Sequence, residues 1–158
     1  MNSALLDASF LITFSDPTRE HHLVADRFYQ ELRQRQIPMF ISTIVISEFE
    51  TRQSITDLPM RSFIVLPFNV DHARRCAALN GHINRDTGDS RVRVKDDLKL
   101  IAQCVCEGIT HLLTEDANTL TKYLQRLNPD FQRPVQPVLL RDGFDTTHFE
   151  NGQQRLVP

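Results

Sequence analysis

Apolar residues in this chain come in short solid runs, separated by longer stretches with a helical period, and that alternation restricts it to few folds. The runs are Ala4-Leu5-Leu6, Ile37-Pro38-Met39-Phe40-Ile41, Ser62 to Phe68, Ile109 to Thr114 and Val135 to Leu140. Between them the apolar spacing lengthens to three and four residues, as in Leu23, Val24, Phe28 and Leu32 of a helix expected over Glu20 to Gln36. Further helices are expected over Ala8 to Phe14, after a Ser42 or Thr43 cap, over Val70 to Asn84, from Leu98 to Cys106, and over Ala117 to Leu127. Runs without polar alternation suit strands covered on both faces. Strands alternating with helices predict a three-layer α/β/α sandwich with a central, mainly parallel sheet. At 158 residues the chain is expected to be one domain, 1–158, with the polar segment 141–158 as a C-terminal tail of undefined role.

Composition narrows the function classes. Hydrophobic residues make up 41% of the chain, enough for a packed core and too many for a disordered chain. The longest apolar runs fall far short of a membrane span, and the opening MNSALLDASF lacks a basic leader, so a cytoplasmic protein with no membrane partner is expected. Three cysteines, Cys76, Cys104 and Cys106, give no metal-type pair and no even count; Cys104 and Cys106 read as reduced core residues. The net charge of -2 excludes a protein held on nucleic acid by bulk charge alone.

In an open parallel sheet, ligands bind at the carboxyl ends of the strands, at the point where strand order reverses. Asp7 directly follows Leu5-Leu6, and Asp116 follows Leu112-Leu113-Thr114 by two residues. Asp97, with Asp96, opens the helix that Gly108 closes, and Glu48 lies one turn beyond Ile44 and Val45 beside a core-facing stripe. The topology brings these four acids to one rim. Carboxylates about 4 Å apart repel by on the order of 4 kcal/mol per pair, so such a cluster needs protons or a cation. An all-oxygen ligand set favours Mg²⁺ or Mn²⁺, and the chemistry such ions support is hydrolysis of a phosphodiester. Plainer roles stand beside each acid. Asp7, Asp96, Asp97 and Asp116 are all placed to cap helices, and Glu48 could pair with Arg52.

Three segments resemble the PIN domain family, most closely its VapC-like toxin ribonucleases. They are Leu5-Leu6-Asp7-Ala8-Ser9-Phe10-Leu11-Ile12, then Ile41-Ser42-Thr43-Ile44-Val45-Ile46-Ser47-Glu48-Phe49, then Asp97 through Ile101-Ala102 and Gly108 to Leu112-Leu113-Thr114-Glu115-Asp116. The resemblance implies a Mg²⁺- or Mn²⁺-dependent endoribonuclease on a PIN-like fold. It makes Asp7, Glu48, Asp97 and Asp116 the catalytic, metal-binding quartet, and Thr114 the hydroxyl that orients a water or the last acid. Asp97 rather than Asp96 takes the third place because its spacing to Gly108 fits better. An RNA substrate, a cognate antitoxin protein and a homodimer are the implied partners. The same resemblance would also cover an RNA-processing nuclease that is not a toxin, and a degenerate domain that only binds.

Set the four acids aside, and 18 cations face 16 remaining acids, so the rest of the chain is mildly basic. Arg85, Arg91, Arg93 and Lys95 fall in a polar stretch, Asn84 to Lys95, that reads as a loop and could meet an RNA backbone, with Asp86 and Asp89 diluting the charge. A phosphoaspartyl hydrolase also opens on a strand ending in Asp, but needs a second Asp where this chain has Ser9.

Overall fold

The structure, a computed structural model, describes residues 1–150. The chain runs β1 (Ala4–Leu6), α1 (Ala8–Ser15), α2 (His22–Gln34), β2 (Met39–Ser42), α3 (Thr43–Phe49), β3 (Ile64–Leu66), α4 (Val70–Asn80), α5 (Arg91–Glu107), β4 (His111–Thr114), α6 (Leu120–Leu127) and β5 (Gln136–Leu139). The five strands form one sheet in the order β3-β2-β1-β4-β5, and every pairing is parallel. Successive side chains on a strand point to opposite faces. All of β1 and all of β4 are buried, so helices cover both faces, as the solid apolar runs imply. On the helical layers α1 packs against α2 and α3, and α5 against α4 and α6.

The order of strands places the chemistry. From β1 the chain steps outward to β2 and β3, then returns across the sheet to β4 and β5. The reversal lies between β1 and β4, where Leu6 is in register with Leu113 and the Asp7 N–H donates to the Leu113 carbonyl at 3.2 Å. The two strands therefore end side by side, and the residues just past them, Asp7 and Thr114 to Asp116, meet at the switch point.

Several expected boundaries move. The long helix α5 begins at Arg91, capped by the Ser90 hydroxyl accepting from the Arg93 N–H, so Asp96 and Asp97 lie in its second turn and cap nothing. The weak signal was Ser90; Arg91-Val92-Arg93-Val94 has two β-branched residues and looks like loop or strand when read alone. Gly108 closes α5 in the left-handed region at φ 66°, as expected. The last helix starts at Leu120 rather than Ala117, because Asp116 folds the intervening residues into a turn. Cys106 is exposed, not a core residue, because it falls on the outer side of the last turn of α5; Cys104 is buried, and all three cysteines are free.

Part of the segment after Arg141 belongs to the core. A short 3-10 turn, Thr146–Phe149, buries Phe149 against Phe28 and His111, with ring centroids 6.0 and 4.9 Å apart. It is tied to the amino-terminal end of the sheet by Asn2 Nδ2 donating to the Phe149 carbonyl at 2.9 Å and by His111 Nε2 at 2.6 Å from the His148 carbonyl. Residues 151–158 of the expected tail lie outside the described residues.

Candidate active site

Asp7 is both a helix cap and a site residue, because its two oxygens divide the work. Oδ1 accepts from the Phe10 N–H, capping α1, and from Ser9 Oγ, each at 2.8 Å. Oδ2 accepts from Thr114 Oγ1 at 2.5 Å. Thr114 Oγ1 in turn accepts from the Asp116 N–H at 2.8 Å, and Ser9 Oγ accepts from the Glu115 N–H at 2.8 Å. Two hydroxyls thus lock the end of β1 to the end of β4 through side chains as well as backbone. Despite three donors, burial pushes the Asp7 carboxyl up from 3.8 to about 6.

Asp116 turns on itself. Its Oδ1 accepts from the Asn118 and Thr119 N–H groups at 2.8 and 3.1 Å, and its Oδ2 accepts from Thr119 Oγ1 at 2.9 Å. Arg93 Nε stands 3.7 Å from the same Oδ2. Asp97, only 8% exposed, presents a buried Oδ2 with no hydrogen-bond partner among the described residues. Burial raises its carboxyl from 3.8 to about 7, the Thr119 hydroxyl offsets part of that, and the neighbouring Asp116 and Asp7 charges add to it.

Asp7, Glu48, Asp97 and Asp116 line a single cavity of about 410 Å³, together with Ser9, Ile44, Arg93, Asp96 and Leu100. Acids from four distant parts of the chain therefore share one depression at the switch point. They do not form a ready cage: among the described residues no three His, Cys, Asp or Glu side chains stand close enough to hold an ion. Like charges repel, and the oxygens of Asp7 and Asp116 face backbone amides and hydroxyls instead of one another. Glu48 is exposed at the cavity mouth rather than half buried, since it falls on the outer side of the short helix α3, and among the described residues it makes no ion pair with Arg52. Asp96 lines the cavity too, but it is half exposed and pairs with Lys99 at 3.2 Å, which favours Asp97 as the third acid.

The donor set suits a hard divalent cation. All candidate ligands are carboxylate oxygens, the buried Asp97 Oδ2 has no partner among the described residues, and burial raises two of the carboxyls, a cost that a bound cation would offset. Sequence reasoning passed over Ser9 and Thr119 as site residues; the signal was a hydroxyl two residues after Asp7 and another three after Asp116, the spacings at which a side chain reaches an aspartate at a turn. Beyond the site, Glu115 Oε1 is 2.9 Å from His21 Nδ1 and its Oε2 accepts from Thr13 Oγ1 at 2.6 Å, fixing α1 and α2 to the end of β4.

No protein-family model and no curated protein matches the chain. Solved structures do. Mycobacterium tuberculosis VapC20, described as a Sarcin-Ricin loop cleaving toxin, superposes with a TM-score of 0.55 at 19% identity, over 73% of this chain and 92% of that one. A DNA-bound VapBC from Salmonella typhimurium matches with a TM-score of 0.58 at 16% identity, over 89% of this chain and 99% of that one. VapBC2 from Rickettsia felis, bound to a fragment of its promoter, matches with a TM-score of 0.55 at 12% identity, over 86% and 97%. What is shared at these identities is architecture: the chain has the VapC-like PIN-domain fold, an α/β domain on an all-parallel five-stranded sheet. Among the described residues no helix is long and apolar enough to cross a membrane.

Proposed function

We propose that the protein is a Mg²⁺- or Mn²⁺-dependent endoribonuclease that hydrolyses RNA phosphodiester bonds as the toxin of a toxin–antitoxin pair. The observation that carries this reading is the convergence of Asp7, Glu48, Asp97 and Asp116 on one cavity at the switch point, where Asp97 also has a buried Oδ2 with no hydrogen-bond partner among the described residues. Asp7, Asp97 and Asp116 are the candidate ligands, with Glu48 at the mouth, and to share one ion their side chains would have to draw closer than they stand. A divalent ion there would lower the pKa of a water and offset the charge of the phosphodiester.

The chain's own groups prepare that chemistry. Thr114 and Ser9 hold Asp7 so that its carboxylate cannot swing away, and Thr114 simultaneously fixes the Asp116 backbone. Burial raises the Asp97 carboxyl when no cation is present, and a divalent ion beside it would offset that cost and hold it as the carboxylate. Ile44 and Leu100 add apolar surface to the cavity beside the carboxylates.

The toxin role rests on structural neighbours that are a Sarcin-Ricin loop cleaving toxin and VapBC complexes. A cognate antitoxin, a homodimer, a cytoplasmic location and a single domain over 1–158 belong to the same proposal. The test is cleavage of structured RNA by purified protein with Mn²⁺ or Mg²⁺, against an EDTA control and Asp7→Asn and Asp97→Asn variants. Cleavage that needs the ion and disappears in both variants is expected. Undiminished cleavage by the double variant would remove these acids from the mechanism, and RNA binding without any cleavage would leave a binding module. Growth arrest on expression, relieved by Asp7→Asn, separates a toxin from an RNA-processing nuclease.

A further inference from the structure

The polar segment between α4 and α5 carries two acids, Asp86 and Asp89, and α6 neutralises both. Arg126 grips Asp86 with two nitrogens at 2.9 and 2.7 Å, and Lys122 Nζ lies 3.0 Å from Asp86 Oδ2 and 2.7 Å from Asp89 Oδ2. Tyr123 Oη donates to Asp89 Oδ2 at 2.6 Å and accepts from the Asp86 N–H at 2.9 Å. Arg126 and Lys122 hold the Asp86 carboxyl well below its usual range, and Lys122 and Tyr123 lower that of Asp89. The acids that would have diluted the basic character of this segment are therefore engaged elsewhere.

Three cations are left. Arg85 from the segment and Arg91 and Lys95 from the first turns of α5 line one cavity of about 280 Å³, with Asn80 and Ile83. None of the three enters an ion pair among the described residues; Arg85 Nη1 donates to the Asp89 carbonyl, which holds that guanidinium in place and leaves its charge unneutralised. Arg91 and Lys95 are like charges four residues apart on a helix, an arrangement that costs a few tenths of a kcal/mol. An arrangement that opposes folding slightly and presents a cluster of donors points to an anionic ligand.

The helix connects this cavity to the carboxylates. At about 100° per residue, Arg91 and Lys95 occupy one flank of α5 while Arg93 and Asp97 occupy the other. Val92, 70% exposed, and Asp96 form the crest between. The two cavities thus open on either side of one helix about 10 Å across. A ligand with evenly spaced anionic groups and apolar faces between them fits this layout: one phosphate over the carboxylate site, sugar or base against Val92, and a second phosphate among the three cations.

We propose that Arg85, Arg91 and Lys95 form a phosphate subsite that holds the backbone of single-stranded RNA a few nucleotides from the bond to be cut. This rests on the ribonuclease reading, and the binding test is separate from cleavage. A labelled single-stranded RNA is titrated with the wild-type chain in EDTA over a range of salt concentrations. The same titration is made with Arg91→Gln/Lys95→Gln, Arg85→Gln, and an Arg133→Gln/Arg141→Gln control on exposed cations elsewhere. Each phosphate of a single strand that the protein no longer neutralises lowers the slope of log K against log salt by about 0.7. The double variant is expected to lower it by about 0.7 to 1.4 and to weaken binding about tenfold, or about 1.4 kcal/mol. The control is expected to leave both unchanged. Single variants at 91 and 95 replace the double one if it does not fold.

Parallel salt lines for wild type and the double variant, no RNA binding by the wild type, or equal binding of polyglutamate and RNA at the same charge would each overturn the subsite. Mn²⁺-dependent cleavage with parallel lines leaves the nuclease and removes the subsite. A lowered slope without cleavage leaves the subsite and removes the nuclease.

Discussion

Replacing Asp97 by Asn isolates what the buried carboxylate costs the fold. Burial, with the Asp116 and Asp7 charges nearby, raises Asp97 from 3.8 to about 7. At about 1.36 kcal/mol per pH unit, ionising it in the folded chain costs about 4 kcal/mol more than in the unfolded one. Between about pH 4 and about pH 7 the folded state holds a proton that the unfolded state has lost, so stability falls as pH rises through that window. Above it the whole penalty stands, and Asn, which carries no charge, removes it. Against this gain, the amide at the Oδ2 position has no partner, at a cost of about 1–3 kcal/mol that does not depend on pH. At pH 8 the variant is expected to be more stable than wild type by about 1–3 kcal/mol. At pH 5, where only about 1.5 kcal/mol of the penalty has developed, the two come out level or the variant falls slightly behind. Urea unfolding in EDTA at both pH values reads the change directly, an increment larger by about 3 kcal/mol at pH 8. Equal increments at the two pH values would show that Asp97 is not held with a raised pKa, and would take away the reason for a cation beside it.

Two further outcomes follow from the geometry. Thr114→Val keeps the shape but deprives Asp7 Oδ2 of its donor and the Asp116 N–H of its acceptor, so a loss of about 2–4 kcal/mol is expected. The Asp7 carboxyl should also titrate higher than in the wild type, because the Thr114 bond holds it down; an unmoved carboxyl-carbon NMR titration would refute this. Phe149→Ala empties a core position packed on Phe28 and His111 and should cost about 3–5 kcal/mol, whereas denaturation unchanged from wild type would show that the turn after β5 is dispensable.

The fold was legible because each central strand is a solid apolar run and each crossover helix has a clear period. Asp7 and Asp116 are placed by position alone: one directly follows, and the other follows by two residues, runs that parallel-sheet topology brings side by side, and the Leu6–Leu113 register does so. Asp97 was placed through its helix, although that helix starts two turns earlier than its apolar period suggests. The Ser90 cap is one residue, and the β-branched Val92 and Val94 hid the first two turns, which tertiary packing of Val94 in the core makes helical. The exposure of Glu48 and the divided roles of the Asp7 oxygens were not legible, since both depend on side-chain direction rather than on period. Nor was the engagement of Asp86 and Asp89 by α6, because their partners lie more than 30 residues away.

The hydroxyl of Tyr123 also bears on the proposed phosphate subsite. A segment presenting Arg85 beside Arg91 would, if slack, have to surrender its freedom each time an anion arrived, and association is weakened by every such ordering. Here Tyr123, Lys122 and Arg126 have already taken that freedom during folding. Removing the Tyr123 hydroxyl would leave every cation in place and Lys122 and Arg126 still on the two acids, yet it would loosen the Asp86 backbone, and if the segment holds a polyanion as proposed, binding would weaken with no charge lost.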